Sequence, residues 1–212
     1  MRGRGRISLE VEIDRDREQL LQSFKSTAAR QVRKALRMNL EIREDLDDEG
    51  VAAFEEVYGR MSDVKGATRH PTSFFYGLRD FCRKWPRRGF LLSSWLQDKL
   101  LGAVVVFTLG ERAIYGYGTS VLEKPEVPKN HLLHFAAMQR ARARGCTLYD
   151  WGGFAAPAGK EESNTHTQKI NFFKSRFGGH PVDFVPAHER ILHPHAYRIL
   201  RGMNTLWRRI RG

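Results

Sequence analysis

Residues 89–120 read GFLLSSWLQDKLLGAVVVFTLGERAIYGYGTS. Three runs rich in leucine, β-branched and aromatic side chains are separated by the pairs Gln97-Asp98 and Gly110-Glu111. Apolar runs of strand length joined by two-residue turns predict a three-stranded antiparallel meander. The longest apolar stretch, residues 100–107, falls well short of the ~20 residues that a membrane-crossing helix needs, and reads as a buried strand.

On the N-terminal side of the meander, SLEVEI (8–13) alternates like a strand, and residues 16–37 carry apolar side chains at helical spacing. LEIRE reads as a short strand. Residues 47–64 open with acidic side chains and continue with an apolar stripe through Val51, Phe54, Val57 and Met61, which predicts a helix. A basic loop, KGATRHP (65–71), leads to a helix that Pro86 interrupts. On the C-terminal side, the loop LEKPEVPKN precedes a helix over 131–145 closed by Gly145. The strand TLYDW then runs into Gly152-Gly153. A polar loop, a helix over 166–176, the pair Gly178-Gly179, the strand PVDFVP and a basic helix over 195–210 complete the chain. This order in one chain of 212 residues predicts an α/β layered sheet with helices on its faces.

Hydrophobic content of 41% and aromatic content of 11% belong to a chain with a core. The two cysteines are too few for a disulfide framework, and neither they nor the eight histidines show metal-ligand spacing, so no metal and no cofactor is expected. His131 and His134 read as ordinary helix residues. The N-terminus has no apolar segment of a secretory signal, which makes cytoplasm the expected location. The net charge of +12 favours anionic partners, and it is unevenly placed. Residues 25–37 carry five cations and no acid, 41–63 carry nine acids against two arginines, and 190–212 carry six arginines and no acid.

Four segments in order, ARQVRKALR, AIYGYGTS, GCTLYDWGG and INFFKSRFGG, resemble the Fem-type aminoacyl transferases, which build peptidoglycan interpeptide bridges. The element order is likewise similar to GNAT acyltransferases, so the expected fold is a single GNAT-like domain around a mixed, mostly antiparallel sheet. The resemblance covers about residues 8–190, corresponds to the second of the two GNAT-like domains of that family, and divides the chain into an N-terminal strand and basic helical segment (1–38, the tail of a first domain), a transferase domain (39–190) and a basic terminal helix (191–212). It implies an aminoacyl-tRNA donor and an amine acceptor, either a peptidoglycan precursor or a smaller peptide amine. It also leaves room for a partner subunit in place of the first domain.

The resemblance places Lys174 near the transferring ester, Tyr117 and Phe173 along the substrate channel, and Lys65 and Arg69 at a phosphate. Aminoacyl transfer develops an oxyanion, and a fixed cation is suited to it. Helical pattern alone equally allows Lys174 to be a solvent-facing residue of an amphipathic helix. Asp150 and Tyr149 sit where a strand runs into glycines; strand ends of this kind bind ligands, and an aspartate there can take or hold the proton of the attacking ammonium. Arg30, Arg33 and Lys34, with Arg208 and Arg209, are the expected grip on tRNA. The terminal helix sets Leu200, Met203 and Trp207 beside arginines, a pattern shared by peripheral membrane helices and by helices packed on their own domain. The competing reading is an acyl-CoA-dependent N-acyltransferase. Against it, LEKPEVPKN has no glycine where a pyrophosphate cradle would need one.

Overall fold

In the computed structural model, residues 7–65, 69–154, 166–185 and 191–211 are described. The meander forms as β3 (Gly89–Leu96), β4 (Lys99–Leu109) and β5 (Arg112–Ser120). The turn residues Gln97, Asp98 and Gly110 all take positive φ, the conformation that two-residue hairpins need. Side chains alternate across β4: Val104 and Val106 join one core, Ala103 and Val105 the other. Burial on both faces explains why this strand reads as an unbroken apolar run.

Four further strands extend the sheet: β1 (Ile7–Glu12), β2 (Glu41–Glu44), β6 (Leu148–Gly153) and β7 (His180–Asp183). Their order is β2-β3-β4-β5-β6-β1-β7. Every pairing is antiparallel except that of β5 with β6. The strand expected at PVDFVP is shifted: β7 begins at His180 and ends at Asp183, and it pairs with Ile7 to Glu10 of β1.

Helices α1 (Arg17–Ser23), α2 (Ser26–Arg37) and α5 (Lys129–Ala143) cover one face. Asp16 and Gln19 form a reciprocal capping box that starts α1. α2 turns Ala28, Ala29, Val32 and Ala35 inward, and these small side chains allow it to lie close to α5. Helices α3 (Asp48–Lys65) and α4 (Thr72–Lys84) cover the other face through Phe54, Val57, Phe75 and Leu78. α3 therefore runs one residue into the stretch that the sequence reads as a basic loop. Residues 7–38, which the sequence reading sets apart from 39–190, supply an inner strand and two helices of the same layers.

A register shift between Val105 and Val106 places Gly116 as an extra residue in β5. The bulge turns Tyr115 toward α5 and Tyr117 toward α3 and α4. After α6 (His166–Ser175), the chain turns at Gly178 and Gly179, both with positive φ. A Cβ on Gly179 would run into the carbonyl oxygen of Glu10. Residues 7–183 form one unit, and the segment from Phe184 onward, with α7 (Pro194–Arg211), belongs to another.

Gly179→Ala should lower unfolding stability by about 1–3 kcal/mol through strained backbone and the clash with β1. Gly77, inside α4 with open space at its Cβ, should show the opposite sign: Gly77→Ala should raise stability by about 0.5–1 kcal/mol. Urea denaturation of both variants checks the pair.

Candidate active site

Strands β5 and β6 pair only at Arg112–Leu148, Ala113–Tyr149 and Ile114–Asp150. Beyond that point they part. Gly152 takes a positive φ of 71° at the end of β6, and the carbonyls of Trp151 and Gly153 no longer have β5 as a partner. Lys174, from the last turn of α6, fills that role. Its Nζ donates to Trp151 O at 3.0 Å and to Gly153 O at 2.7 Å. The residue is only 7% exposed. The solvent-facing reading of Lys174 is thereby corrected: the cation faces β6, while Phe172 is the member of the motif that faces solvent. Phe173 and Phe177 pack beneath it against Trp151, His131 and His134.

The parted strands open a cavity of about 410 Å³. β5 contributes Tyr115, Gly118, Thr119 and Ser120 to its wall; His134 and Trp151 line it from α5 and β6, and Phe173 and Lys174 from α6. A Cβ on Gly118 would strike the Tyr115 ring, so this glycine makes room for the tyrosine. Among the described residues, the Trp151 indole N–H has no hydrogen-bond partner and is buried from solvent. His134 Nδ1 lies 3.2 Å from the Tyr149 hydroxyl. Burial pushes His134 down to about 3 and His131 down to about 4, so both imidazoles are neutral near pH 7. Burial pushes the Tyr115 phenol up to about 12.

Two grooves adjoin the cavity. One, of about 430 Å³, shares Ser120, Asn130 and Phe173 with it and reaches Gln31 and Lys34 on α2. The other, of about 300 Å³, shares Met61 and Ser120 and runs along the end of α3 past Asp63 and Glu123. The cavity thus communicates with a basic helix on one side and an acidic helix on the other.

The remaining residues expected at the site are dispersed. Asp150 is buried, but its carboxylate accepts from Ser8 Oγ and from the Gly152 N–H at 2.7 Å. It is engaged with the β1 side of the strand and holds the Gly152 turn. Tyr149 is wholly buried under α5 and, unlike its neighbour Trp151, does not line the cavity; burial raises its phenol well above its ordinary value. Tyr117 packs on Phe74, His70 and Phe107, on the opposite face from Phe173. The bulge at Gly116 separates the two aromatics that the sequence reading put in one channel. Arg69 is held by Asp63. Arg30, Arg33 and Lys34 lie exposed on α2; Arg33 is 3.5 Å from Glu18, and Lys34 donates to Glu126 O at 2.8 Å. The side chains of Lys65, Arg208 and Arg209 fall outside the described residues. No metal-ligand cluster occurs among the described residues.

At the start of α5, the Lys129 N–H bonds Val127 O at 2.8 Å, and the His131 N–H bonds Pro128 O at 3.1 Å. The Lys129 ammonium is bound to the carbonyls of Glu123 and Lys124. These donors of the helix start are engaged within the loop itself rather than turned to a phosphate.

Known proteins share the fold. Residues 22–162 match the family model described as acetyltransferase (GNAT) domain. Over 104 residues the chain is 30% identical to a lipid II:glycine glycyltransferase of Staphylococcus saprophyticus, covering 49% of this chain and 24% of that protein. The crystal structure of FemX superimposes with a TM-score of 0.78 at 18% identity, over 91% of this chain and 63% of that one. L-PGS from Bacillus licheniformis superimposes with a TM-score of 0.58 at 10% identity, over 88% and 61%. The chain spans less than two thirds of the length of each of these relatives.

The buried histidines give a pH test. Their folded values lie near 4 and 3, below the ordinary 6.5. The stability they contribute is therefore complete above about pH 6.5 and is lost as pH falls toward those values, by up to ~1.4 kcal/mol per pH unit for each histidine. Urea denaturation at about pH 7 and about pH 5 should show this slope, and His134→Gln should make it shallower.

Proposed function

The chain belongs to the acetyltransferase (GNAT) domain family, and on that premise we propose that it is an aminoacyltransferase that moves an amino acid from aminoacyl-tRNA to an amine, forming a peptide bond. The fold is the Fem-type GNAT fold, and the family chemistry is acyl transfer. The observation that carries the finer reading is the Lys174 ammonium, fixed by two backbone carbonyls in the wall of a cavity bounded by apolar rings.

In the proposed reaction, the acceptor nitrogen attacks the ester carbonyl of the donor. The acceptor attacks as the free amine, its ammonium having first lost one proton to solvent. An N–C bond forms, the carbonyl oxygen becomes an oxyanion, and the intermediate collapses with cleavage of the C–O bond to the ribose oxygen, which leaves with the second proton shed by the nitrogen. Lys174 stabilises the oxyanion. Because its carbonyl bonds hold it before substrate arrives, little reorganisation accompanies the chemical step, and such preorganised groups contribute about 3–4 kcal/mol. Asp150 acts through the backbone by fixing the Gly152 turn, which sets the carbonyls that Lys174 holds.

The donor end is proposed to enter along the groove from α2, whose Arg30, Arg33 and Lys34 would meet tRNA phosphates. The acceptor amine is proposed to enter along the groove at the end of α3, past Met61 and Leu122. The relative's name, lipid II:glycine glycyltransferase, supports a peptidoglycan precursor as acceptor class and glycine among the amino acids to be tried first. The engaged amides at the start of α5 favour this donor over acyl-CoA.

Transfer from a mixture of labelled aminoacyl-tRNAs to lipid II, to soluble muropeptides and to simple peptide amines is the test. Lys174→Ala should lower kcat about 100-fold or more. Unchanged rates would remove Lys174 from the chemistry, and transfer from acetyl-CoA instead would replace the donor. Arg30→Ala, Arg33→Ala and Lys34→Ala should each weaken tRNA binding and flatten its salt dependence by about one in the log–log slope.

A further inference from the structure

α7 is an 18-residue helix from Pro194 to Arg211, about 27 Å long at 1.5 Å per residue. Ile199, Leu200, Met203 and Trp207 are all more than half exposed, at 64%, 64%, 56% and 56%. At 100° per residue these four fall within an arc of about 100°. Arg198 and Arg201, both exposed, lie on the rest of the circumference. From residue 190 to the end the sequence has six arginines and no acidic residue. Just before the helix, Ile191 and Leu192 are also exposed, at 46% and 71%.

From this geometry we infer that α7 is an interfacial anchor that lies flat in the headgroup region of an anionic bilayer. An apolar arc containing a tryptophan, beside a face of arginines, is the pattern that binds such a surface: the arc sinks among the upper acyl chains and the arginines meet lipid phosphates. The arginine stems cover the flanks of the apolar arc while their heads remain at phosphate level. No helix among the described residues is long and apolar enough to cross a membrane, so the contact is with one leaflet. An RNA groove would match the arginines but would leave Ile199 and Met203 in water. A second copy of the helix would match the arc but would set arginines against arginines. The bilayer matches both faces at once. The inference stands independently of the donor and acceptor proposed above.

Flotation of the full chain with vesicles tests it. Binding to vesicles of phosphatidylcholine containing phosphatidylglycerol should exceed binding to pure phosphatidylcholine about tenfold or more, and should fall with added salt. Met203→Glu and Leu200→Glu should each reduce binding about tenfold. Thermal unfolding of both variants should match wild type, because the altered side chains are exposed. Arg198→Gln with Arg201→Gln should remove much of the preference for anionic lipid. Wild-type binding by the glutamate variants, equal binding to both vesicle types, or absence of vesicle binding would each overturn the inference. So would a tRNA complex, or a dimer seen by sedimentation, that Met203→Glu disrupts while vesicle binding is unaffected.

Discussion

Two carbonyl oxygens at the end of β6 face a gap where β5 has turned away, and a buried lysine from another helix bonds to both. Much of the site follows from that arrangement. Parallel strands that separate must leave polar backbone without its usual partner, and unpaired buried carbonyls are costly. A cation with several donors resolves the problem and, in doing so, becomes fixed in the cavity wall. The cavity exists because the strands part, and the cation is present because the parting needs it. The chemical role proposed for Lys174 thus rests on the same interaction as its structural one.

The layers around the gap hold it open. Phe173 and Phe177 seat α6 on Trp151 and the α5 histidines, so that Lys174 approaches β6 from a rigid base. Ser8 and Asp150 fix the Gly152 turn from the β1 side. The bulge at Gly116 lets β5 bend while its partner β4 stays fully paired along the buried center of the sheet. Each of these devices sits within a few residues of the point where pairing stops. Tyr115, Trp151 and Phe173 line much of the cavity wall, and electrostatic interactions strengthen beside such apolar groups.

The meander was legible because its signal is local: period-two or continuous apolar runs, and turn pairs that tolerate positive φ. The stripe of α3 and the acidic residues at its start were legible for the same reason. Lys174 could be placed on a helix from its neighbours, but its burial depends on carbonyls more than twenty residues away, and no helical pattern contains that. Tyr117 and Phe173, expected along one channel, lie on opposite faces because a one-residue bulge reverses the alternation after Gly116, and a glycine in a strand does not by itself announce which way the chain turns. Asp150 was recognised as a strand-end carboxylate, yet its partner Ser8 lies 142 residues earlier in the chain. His134 reads as an ordinary helix residue, and it does pack, against Tyr115, Trp151 and Phe173; its place in the cavity wall depends on strands and a helix distant in the chain.

A crystal structure with an RNA minihelix whose terminal ribose carries an amino acid through a stable amide would test the central claim most directly. The account predicts the amino-acid carbonyl oxygen within about 3 Å of Lys174 Nζ, in the cavity between β5 and β6, with the RNA leaving along α2. An aminoacyl group bound elsewhere, or a carbonyl turned away from Lys174 in this cavity, would contradict it.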